Sequence, residues 1–264
     1  MAISDEHQRV PSPLRGWVGG KHLLARRIIE RIPEHTCYAE AFAGSAAALF
    51  TKQLSEVEVI NDANGEVVNL YRVLQHHLEE FCRQFRWALA SRKLFEWLDM
   101  MQPETLTDIQ RAARYYYLQR MSFGGRIKGK RTFGTSTTQK PKVNLLRIEE
   151  ELSEAHLRLS RVAVEHLSCW DFIPRYDRPH TFFYLDPPYW GCEDYYGPGL
   201  FQREDFERLR KVLTGIQGKF LLSLNDVPEV RELFGCFTIE PVTTRYTCMR
   251  AGNQKAAEVL IRNY

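Results

Sequence analysis

The fold is decided by the stretch Thr181-Phe182-Phe183-Tyr184-Leu185-Asp186-Pro187-Pro188-Tyr189. Its first five residues are apolar or aromatic, a run that predicts a buried β-strand. Two consecutive prolines cannot continue a ladder of backbone hydrogen bonds, so the strand must end there. In open α/β sheets, ligands bind at the carboxyl edge of the strands. We therefore expect the tetrapeptide Asp186–Tyr189 to lie in a binding site.

The tetrapeptide suits one chemical problem, the methylation of an exocyclic amino group on a flat heterocycle. Such a nitrogen is a poor nucleophile because its lone pair is delocalised into the ring. Hydrogen bonds from its two N–H groups to the Asp186 carboxylate and the Pro187 carbonyl would favour a more tetrahedral nitrogen. The ring of Tyr189 would stack on the base. Four residues alone leave open a plainer alternative, an ordinary turn with a helix-capping aspartate.

A glycine turn between two further strands indicates a nucleotide-type site. Residues 36–42 form the first strand candidate, which runs into Phe42-Ala43-Gly44-Ser45 and a small-residue helix predicted over Ala46–Leu54. The next strand, Glu56–Ile60, is soon followed by Asp62. An acidic residue at the end of the second strand is the expected acceptor for ribose hydroxyls.

Two neighbouring features have more than one interpretation. Asp62 would also serve as the N-cap of the helix predicted over Glu66–Leu78. Gly19-Gly20-Lys21 opens a helix predicted over residues 22–32, which Pro33 ends. A glycine loop at a helix N-terminus is suited to holding an anionic group, although the full phosphate-binding loop pattern is absent from the sequence.

Charge is distributed unevenly along the chain. The 264 residues carry a net charge of +3, but no acidic residue lies between Asp108 and Glu149. The rest of the chain is acidic, because it holds all 33 acidic residues and 26 of the 36 basic ones. A basic island of this kind suits the phosphate backbone of a nucleic acid; a solvated surface loop is the alternative. Its ten basic residues are Arg111, Arg114, Arg120, Arg126, Lys128, Lys130, Arg131, Lys140, Lys142 and Arg147.

Composition bounds the remaining possibilities. The chain is 44% hydrophobic and 26% charged, which is typical of a globular protein in water. Its apolar runs are too short to span a membrane, and the first residues lack the apolar stretch of a signal peptide. Six scattered cysteines and no cluster of histidines indicate a reducing cytoplasm and no metal site.

Strand and helix patterns alternate on both sides of the basic island, which predicts an α/β sheet interrupted by an insert. The further strands are predicted over residues 162–166, 220–224, 237–243 and 257–261, and the further helices over most of 66–120, 145–159 and 204–213.

Taken in order, these segments resemble the DNA adenine methylase family. Its members are S-adenosylmethionine-dependent N6-adenine methyltransferases whose target-recognition region lies between the cofactor and catalytic motifs. The resemblance covers nearly the whole chain. It rests on the segment Trp17–Lys21, Phe42–Gly44, Asp62, the segment Arg120–Arg126, Asp171-Phe172 and Asp186–Tyr189.

The resemblance implies a Rossmann-like S-adenosylmethionine-dependent methyltransferase sheet formed by residues 1–64 and 147–264. A mainly helical target-recognition insert, residues 65–146, would interrupt that sheet. The implied cofactor is S-adenosyl-L-methionine. The implied partner is double-stranded DNA, from which the target adenine is flipped out. We expect a monomer in the cytoplasm of a bacterium or a phage-infected cell, associated with the nucleoid.

The resemblance also assigns residues by matching position. Asp62 would take the ribose hydroxyls, and Phe123 would probe the DNA. The implied catalytic residues are Asp186, Pro187, Pro188 and Tyr189. The implied cofactor-binding residues are Trp17, Lys21, Phe42, Gly44, Asp62, Asp171, Phe172 and Asp186. The expected DNA-binding residues are Arg120, Phe123, Arg126, Lys128, Lys130 and Arg131.

One departure from the family pattern and two alternatives bear on function. Ala46 replaces the family's usual second glycine, at a turn where a side chain affects cofactor affinity. RNA and glutamine-side-chain methyltransferases share the tetrapeptide pattern but lack the recognition insert. A catalytically silent DNA-binding relative would be expected to have lost the tetrapeptide, which is intact here.

Overall fold

A computed structural model gives the architecture of the chain. It describes residues 10–14, 17, 19–122, 131–135, 137–138, 144–193, 199–245 and 255–264. Its strands are β1 (Cys37–Glu40), β2 (Val57–Asn61), β3 (Val162–Glu165), β4 (Thr181–Leu185), β5 (Lys219–Asn225), β6 (Thr238–Arg245) and β7 (Lys255–Arg262).

These strands form one sheet in the order β3-β2-β1-β4-β5-β7-β6. The five strands from β3 to β5 run parallel, whereas β7 is antiparallel to both β5 and β6. The chain leaves β1 toward β2 on one side and returns through β4 on the other, so a crevice opens beyond the carboxyl ends of β1 and β4. The Rossmann-like α/β sheet predicted from the sequence is confirmed.

Helices cover both faces of the sheet. Along β4, Phe182 and Tyr184 face one helical layer, while Phe183 and Leu185 face the other. The first layer contains α1 (Ala25–Ile29), α2 (Gly65–His76), α3 (Leu78–Arg83), α4 (Arg92–Met100), α5 (Asp108–Met121) and α6 (Ile148–Leu159). The second contains α7 (Cys169–Tyr176), α8 (Asp205–Gly215) and α9 (Pro228–Leu233).

Two predicted helices differ from the structure. Residues 46–54 form successive turns rather than the predicted helix. The reason is local, because Ala46 has a φ of 47°, in the left-handed region that a right-handed helix cannot contain. The helix predicted over 22–32 is shorter: a 3₁₀ turn, Lys21–Leu23, precedes the five-residue α1.

The helix that follows the predicted insert is joined to the sheet by a buried ionic cluster. Arg158 of α6 donates from Nη2 to the carboxylate of Glu58 on β2 at 2.8 Å, and Lys52 binds the same carboxylate. Burial opposes ionisation of Glu58, but Arg158 and Lys52 hold its pKa below the ordinary value. All three residues are less than a tenth exposed. The insert, α6 and the sheet therefore share one continuous core.

Within the described ranges, no helix is both long and apolar enough to cross a membrane.

Candidate active site

A cavity lies at the carboxyl ends of β1 and β4, where the topology predicts a ligand. Its volume is about 60 Å³. Beside it lies a wider cleft of about 510 Å³, and the two share Phe42, Ala63 and Leu200 in their walls. The predicted site residues that line the narrow cavity are Trp17, Lys21, Phe42, Gly44, Asp62, Asp186 and Pro188.

Asp186 follows β4 directly, and its carboxylate is held on two sides. Lys21 donates from Nζ to Oδ2 at 2.9 Å, and the same Nζ lies 2.7 Å from Oδ1 in an ion pair. Ser223 of β5 donates from Oγ to Oδ1 at 2.8 Å. Burial raises the pKa of Asp186, and these two donors oppose that rise. The side chain keeps 16% of its surface exposed, so the carboxylate is an oriented acceptor that faces the cavity.

Lys21 has a more specific placement than the sequence indicated. Its side chain is 2% exposed, and its Nζ also donates to the carbonyl of Gly19 at 2.8 Å. The sequence suggested an anion site at a helix N-terminus. In the structure the ammonium group instead pairs with Asp186, a carboxylate of the same chain.

The rest of the tetrapeptide is fixed by the strands at its side. Pro187 and Pro188 are buried. Tyr189 donates its hydroxyl to Glu258 of β7 at 2.5 Å, and the Nζ of Lys21 lies 4.6 Å from the centroid of its ring. These contacts leave the loop little freedom to change its direction.

Asn225, at the end of β5, completes this support. Its Oδ1 accepts from the backbone N–H of Trp190 at 2.9 Å, and its Nδ2 donates to the Trp190 carbonyl at 3.0 Å. Sequence reasoning missed the supporting roles of Ser223, Asn225 and Glu258. For Ser223 and Glu258 the available signal was a single polar residue inside an otherwise apolar strand.

A second part of the site is built around Gly44. Asp62 accepts the backbone N–H of Gly44 on Oδ2 and that of Asn64 on Oδ1, each at 2.8 Å. Gly44 has a φ of +46°, and a Cβ there would lie 3.0 Å from Nε1 of Trp17. Glycine is therefore required both by the backbone conformation and by the indole packed against it.

The alternative role for Asp62 is corrected by the structure. Asn64 is the N-cap of α2, since its side chain accepts the N–H of Glu66 at 3.0 Å. Asp62 instead joins the glycine turn after β1 to the segment after β2. Burial raises the pKa of this carboxyl, and its two backbone hydrogen bonds oppose the rise.

Glu40 is a further acidic residue of the cavity, at the end of β1. It is 1% exposed and accepts hydrogen bonds from the Tyr38 hydroxyl at 2.6 Å and the Leu49 N–H at 2.8 Å. Burial raises its pKa to about 7. A cationic ligand group in the cavity would favour the ionised form. Sequence analysis assigned no role to Glu40.

Asp171 and Phe172 are not placed as expected. Neither lines the narrow cavity or the cleft. Phe172 is fully buried in the core behind the sheet, because the helical period of α7 turns it and Ile173 inward. Asp171 is exposed and bonds to Ser168, the N-cap of α7. The residues of this segment that line the cleft are Leu167, Ser168, Cys169 and Trp170.

Four of the six expected DNA-binding residues lie outside the residues that the structure describes: Phe123, Arg126, Lys128 and Lys130. Of the two that are described, Arg120 is 7% exposed, and its Nη2 lies 4.0 Å from Glu151. Arg131 approaches Asp99 at 3.7 Å with 14% of its side chain exposed.

Both arginines are thus turned toward acidic residues of the chain itself in this structure. Ser122 and Phe133 form an antiparallel bridge, and Gly134 donates to the Met121 carbonyl at 2.8 Å. The described residues on the two sides of the segment 123–130 are therefore adjacent.

Ala46 allows a test of backbone strain at the glycine turn that follows β1. We expect Ala46→Gly to change the free energy of unfolding by less than about 1 kcal/mol. Relief of the left-handed conformation, about 1–2 kcal/mol, offsets the lost burial of a methyl group, about 0.8 kcal/mol, and the greater freedom of the unfolded chain, about 0.4–1 kcal/mol.

Ala48 is the matched control, because it is equally buried but does not have a positive φ. Ala48→Gly should lower the free energy of unfolding by about 1.5 kcal/mol. It loses the burial of a methyl group and gives the unfolded chain more freedom, but it releases no left-handed strain. Urea unfolding of both variants measures the difference. Equal destabilisation would show that Ala46 is not strained.

Comparisons with known proteins agree with one another. The family model described as D12 class N6 adenine-specific DNA methyltransferase matches residues 17–248. The chain is 25% identical to the Type II methyltransferase M.CviBI of Paramecium bursaria Chlorella virus NC1A, over 96% of this chain and 99% of that protein. It is 27% identical to the Type II methyltransferase M1.LlaDCHI of Lactococcus lactis subsp. cremoris, over 96% and 95%. It is 24% identical to a DNA adenine methylase of Vibrio cholerae serotype O1, over 92% and 93%.

Proposed function

Because this chain belongs to the D12 class of N6 adenine-specific DNA methyltransferases, we propose that its crevice binds S-adenosylmethionine and that Asp186–Tyr189 receives the amino group of an adenine. The observation that carries the proposal is the Asp186 carboxylate. It is held by Lys21 and Ser223 at the carboxyl end of β4 and faces a cavity lined by Trp17.

The residues present fit such a cofactor. S-adenosylmethionine supplies an electrophilic methyl group on a positively charged sulfur. It also carries an ammonium group and two ribose hydroxyls, all of which need acceptors. Glu40 and Asp62 place buried carboxyl groups in the narrow cavity, and Trp17 and Phe42 give it apolar walls. The adjoining cleft, with Trp170 in its wall, offers room for the flat adenine ring of the cofactor.

We expect Asp62→Ala to weaken S-adenosylmethionine binding by roughly 10- to 100-fold, the effect of losing hydrogen bonds to a charged acceptor. The change removes the proposed acceptor for the ribose hydroxyls and frees the N–H of Gly44. Isothermal calorimetry measures the dissociation constant.

The control is Asp177→Ala. Asp177 also joins two segments by accepting backbone N–H groups, those of Gln217 and Gly218, both at 2.9 Å. It lies beyond the opposite end of the parallel strands and lines neither cavity. Weakening of the same size in both variants would mean that Asp62 acts through general stability rather than as a ligand acceptor.

At the other end of the site, the target nitrogen would donate its two N–H groups to Asp186 and to the Pro187 carbonyl. Bound S-adenosylmethionine would supply the electrophilic methyl group, and the two acceptors would orient the lone pair of the nitrogen toward it. The N–H proton that the methylated nitrogen loses would pass to the Asp186 carboxylate, which already accepts that N–H. Lys21 and Ser223 orient the Asp186 carboxylate for this task. The nitrogen becomes acidic only after attack, so Asp186 acts as an orienting acceptor rather than a strong base.

We propose that the adenine reaches this site by leaving the duplex. Asp186 lies in the crevice with 16% of its side chain exposed, and a base stacked in double-stranded DNA cannot reach such a group. Phe123 would wedge into the base stack, and Arg126 would reach a guanine edge or a phosphate. Lys128 and Lys130 would contact phosphates. Arg120 and Arg131 would first have to exchange their partners, Glu151 and Asp99.

The test is expression of the chain in a bacterial host that lacks its own adenine methylation, followed by sequencing of modified bases in the host DNA. We expect N6-methyladenine in a recurring sequence context and none in cells expressing Asp186→Ala. Absence of modified adenine from cells that contain folded wild-type protein would contradict the proposed function.

A further inference from the structure

Glu258 is a carboxylate in an unusual place. It lies on β7 between β5 and β6, paired in register with Asn225 and Val242. It is 0% exposed, and the next three residues of its strand, Val259 to Ile261, are buried and apolar. Burying a carboxyl group in a sheet is costly unless it is hydrogen-bonded. A residue of this kind is therefore better explained by a specific partner than by packing.

Its partner is the tyrosine of the catalytic tetrapeptide. The Tyr189 hydroxyl donates to Oε2 of Glu258 at 2.5 Å. The ring of Tyr189 also faces Lys21, whose Nζ lies 4.6 Å from its centroid. The ring is therefore fixed at its hydroxyl end and on one face, and its plane is defined before any base arrives.

We propose that Glu258 is a positioning residue, which holds the ring of Tyr189 in the plane on which the target base stacks. This inference rests on the proposed function of the site. A ring with a free hydroxyl would turn about its side-chain bonds, and a base stacked on it would bring its amino group to Asp186 less often. Glu258 does not touch the reacting atoms, so its effect should appear in turnover rather than in cofactor binding.

The kinetic test uses a double-mutant cycle on a duplex that carries the methylation site found by modified-base sequencing. We expect Tyr189→Phe and Glu258→Leu each to lower kcat by about tenfold, the effect of losing one hydrogen bond to a charged group, with KM for S-adenosylmethionine unchanged. The double variant should be no slower than the slower single variant. Glu258→Gln keeps an acceptor oxygen and should restore most of the lost turnover.

Glu240→Gln is the control for a general loss of stability. Glu240 lies on the adjacent strand β6 and pairs with Arg31, away from the tetrapeptide. The Glu240→Gln variant should keep the wild-type kcat. Full turnover in folded Glu258→Leu, or effects that multiply in the double variant, would overturn the proposal. If Glu258→Leu does not fold, Tyr189→Phe decides, because an unchanged kcat there would show that the hydroxyl is not used.

A second measurement does not depend on methylation. In protein labelled with 3-fluorotyrosine, the fluorine signal of Tyr189 is identified by its loss in Tyr189→Phe. We expect that signal to shift in Glu258→Gln and to stay in place in Glu240→Gln. An unshifted signal in Glu258→Gln would overturn the role of Glu258 even if the wild-type enzyme methylates adenine. A shifted signal with no methylation by the wild type would instead place the error in the proposed function.

Discussion

Asp186→Ala should lower methyl transfer to adenine by at least roughly a hundred- to a thousand-fold, the effect of losing one preorganised hydrogen-bonding group at a reacting centre. The amino group would lose its acceptor beside Pro187. The rate is measured as transfer of a labelled methyl group from S-adenosylmethionine to a duplex containing the target site. Near-wild-type turnover in this variant would contradict the mechanism.

Stability has to be separated from chemistry in that experiment. Asp186→Ala leaves the ammonium group of Lys21 without its carboxylate partner. Because the Lys21 side chain is only 2% exposed, water cannot replace that partner fully. Breaking a buried ion pair in this way costs about 3–5 kcal/mol. The double variant Lys21→Met with Asp186→Ala removes both charges, and it should recover much of the stability but none of the activity. Recovery of turnover in the double variant would show that the single variant was merely unfolded.

Glu40→Gln should remove a pH dependence of stability. The pKa of Glu40 is raised to about 7 from 4.5, so the folded chain keeps a proton that the unfolded chain releases. The proton's contribution to stability is fully present below about pH 4.5 and is lost as pH rises through about 7. The total loss is about 3 kcal/mol. Glutamine cannot ionise, so at pH 8 we expect Glu40→Gln to be more stable than wild type.

Urea unfolding at pH 5 and pH 8 measures this effect. The gain at pH 8 will be reduced by whatever the amide loses in its hydrogen bonds to Tyr38 and Leu49. Glu240→Gln gives the opposite sign, because its ion pair with Arg31 lowers the pKa of Glu240. The stability that this pair contributes is present at neutral pH and is lost as pH falls through the lowered pKa. A wild-type curve and a Glu40→Gln curve that run parallel between pH 5 and 8 would refute the raised pKa.

The sequence predicted the features that follow from local rules. Two prolines stop β4 from continuing beyond Asp186 whatever surrounds them, and alternating strand and helix patterns predicted the sheet. The helix expected over 46–54 was wrong because small residues favour helices only where the backbone is free to form one. Here the backbone at Gly44 packs against the indole of Trp17, and Ala46, two residues later, has a positive φ.

The misses in the site have a different cause. Phe172 was assigned together with Asp171 by its matching position in the family motif, whereas the period of α7 turns it into the core. Glu258 and Tyr189 are 69 residues apart, and only the antiparallel addition of β7 beside β5 brings them together. Single-residue patterns cannot show such pairs. The sequence therefore allowed the chemistry of the tetrapeptide to be predicted, but not the strands that orient it.

The ionic cluster between α6 and β2 limits how the enzyme's specificity can be exchanged. A chimera that takes residues 65–146 from a relative would set foreign helices against the native α6. One that takes residues through 159 would need a basic residue where Arg158 meets Glu58 and Lys52. We therefore expect the predicted recognition insert and the methyl-transfer scaffold to be exchangeable only together. New DNA targets are therefore better sought by point substitutions at the predicted DNA contacts, Phe123 and Arg126, than by exchange of the whole predicted insert.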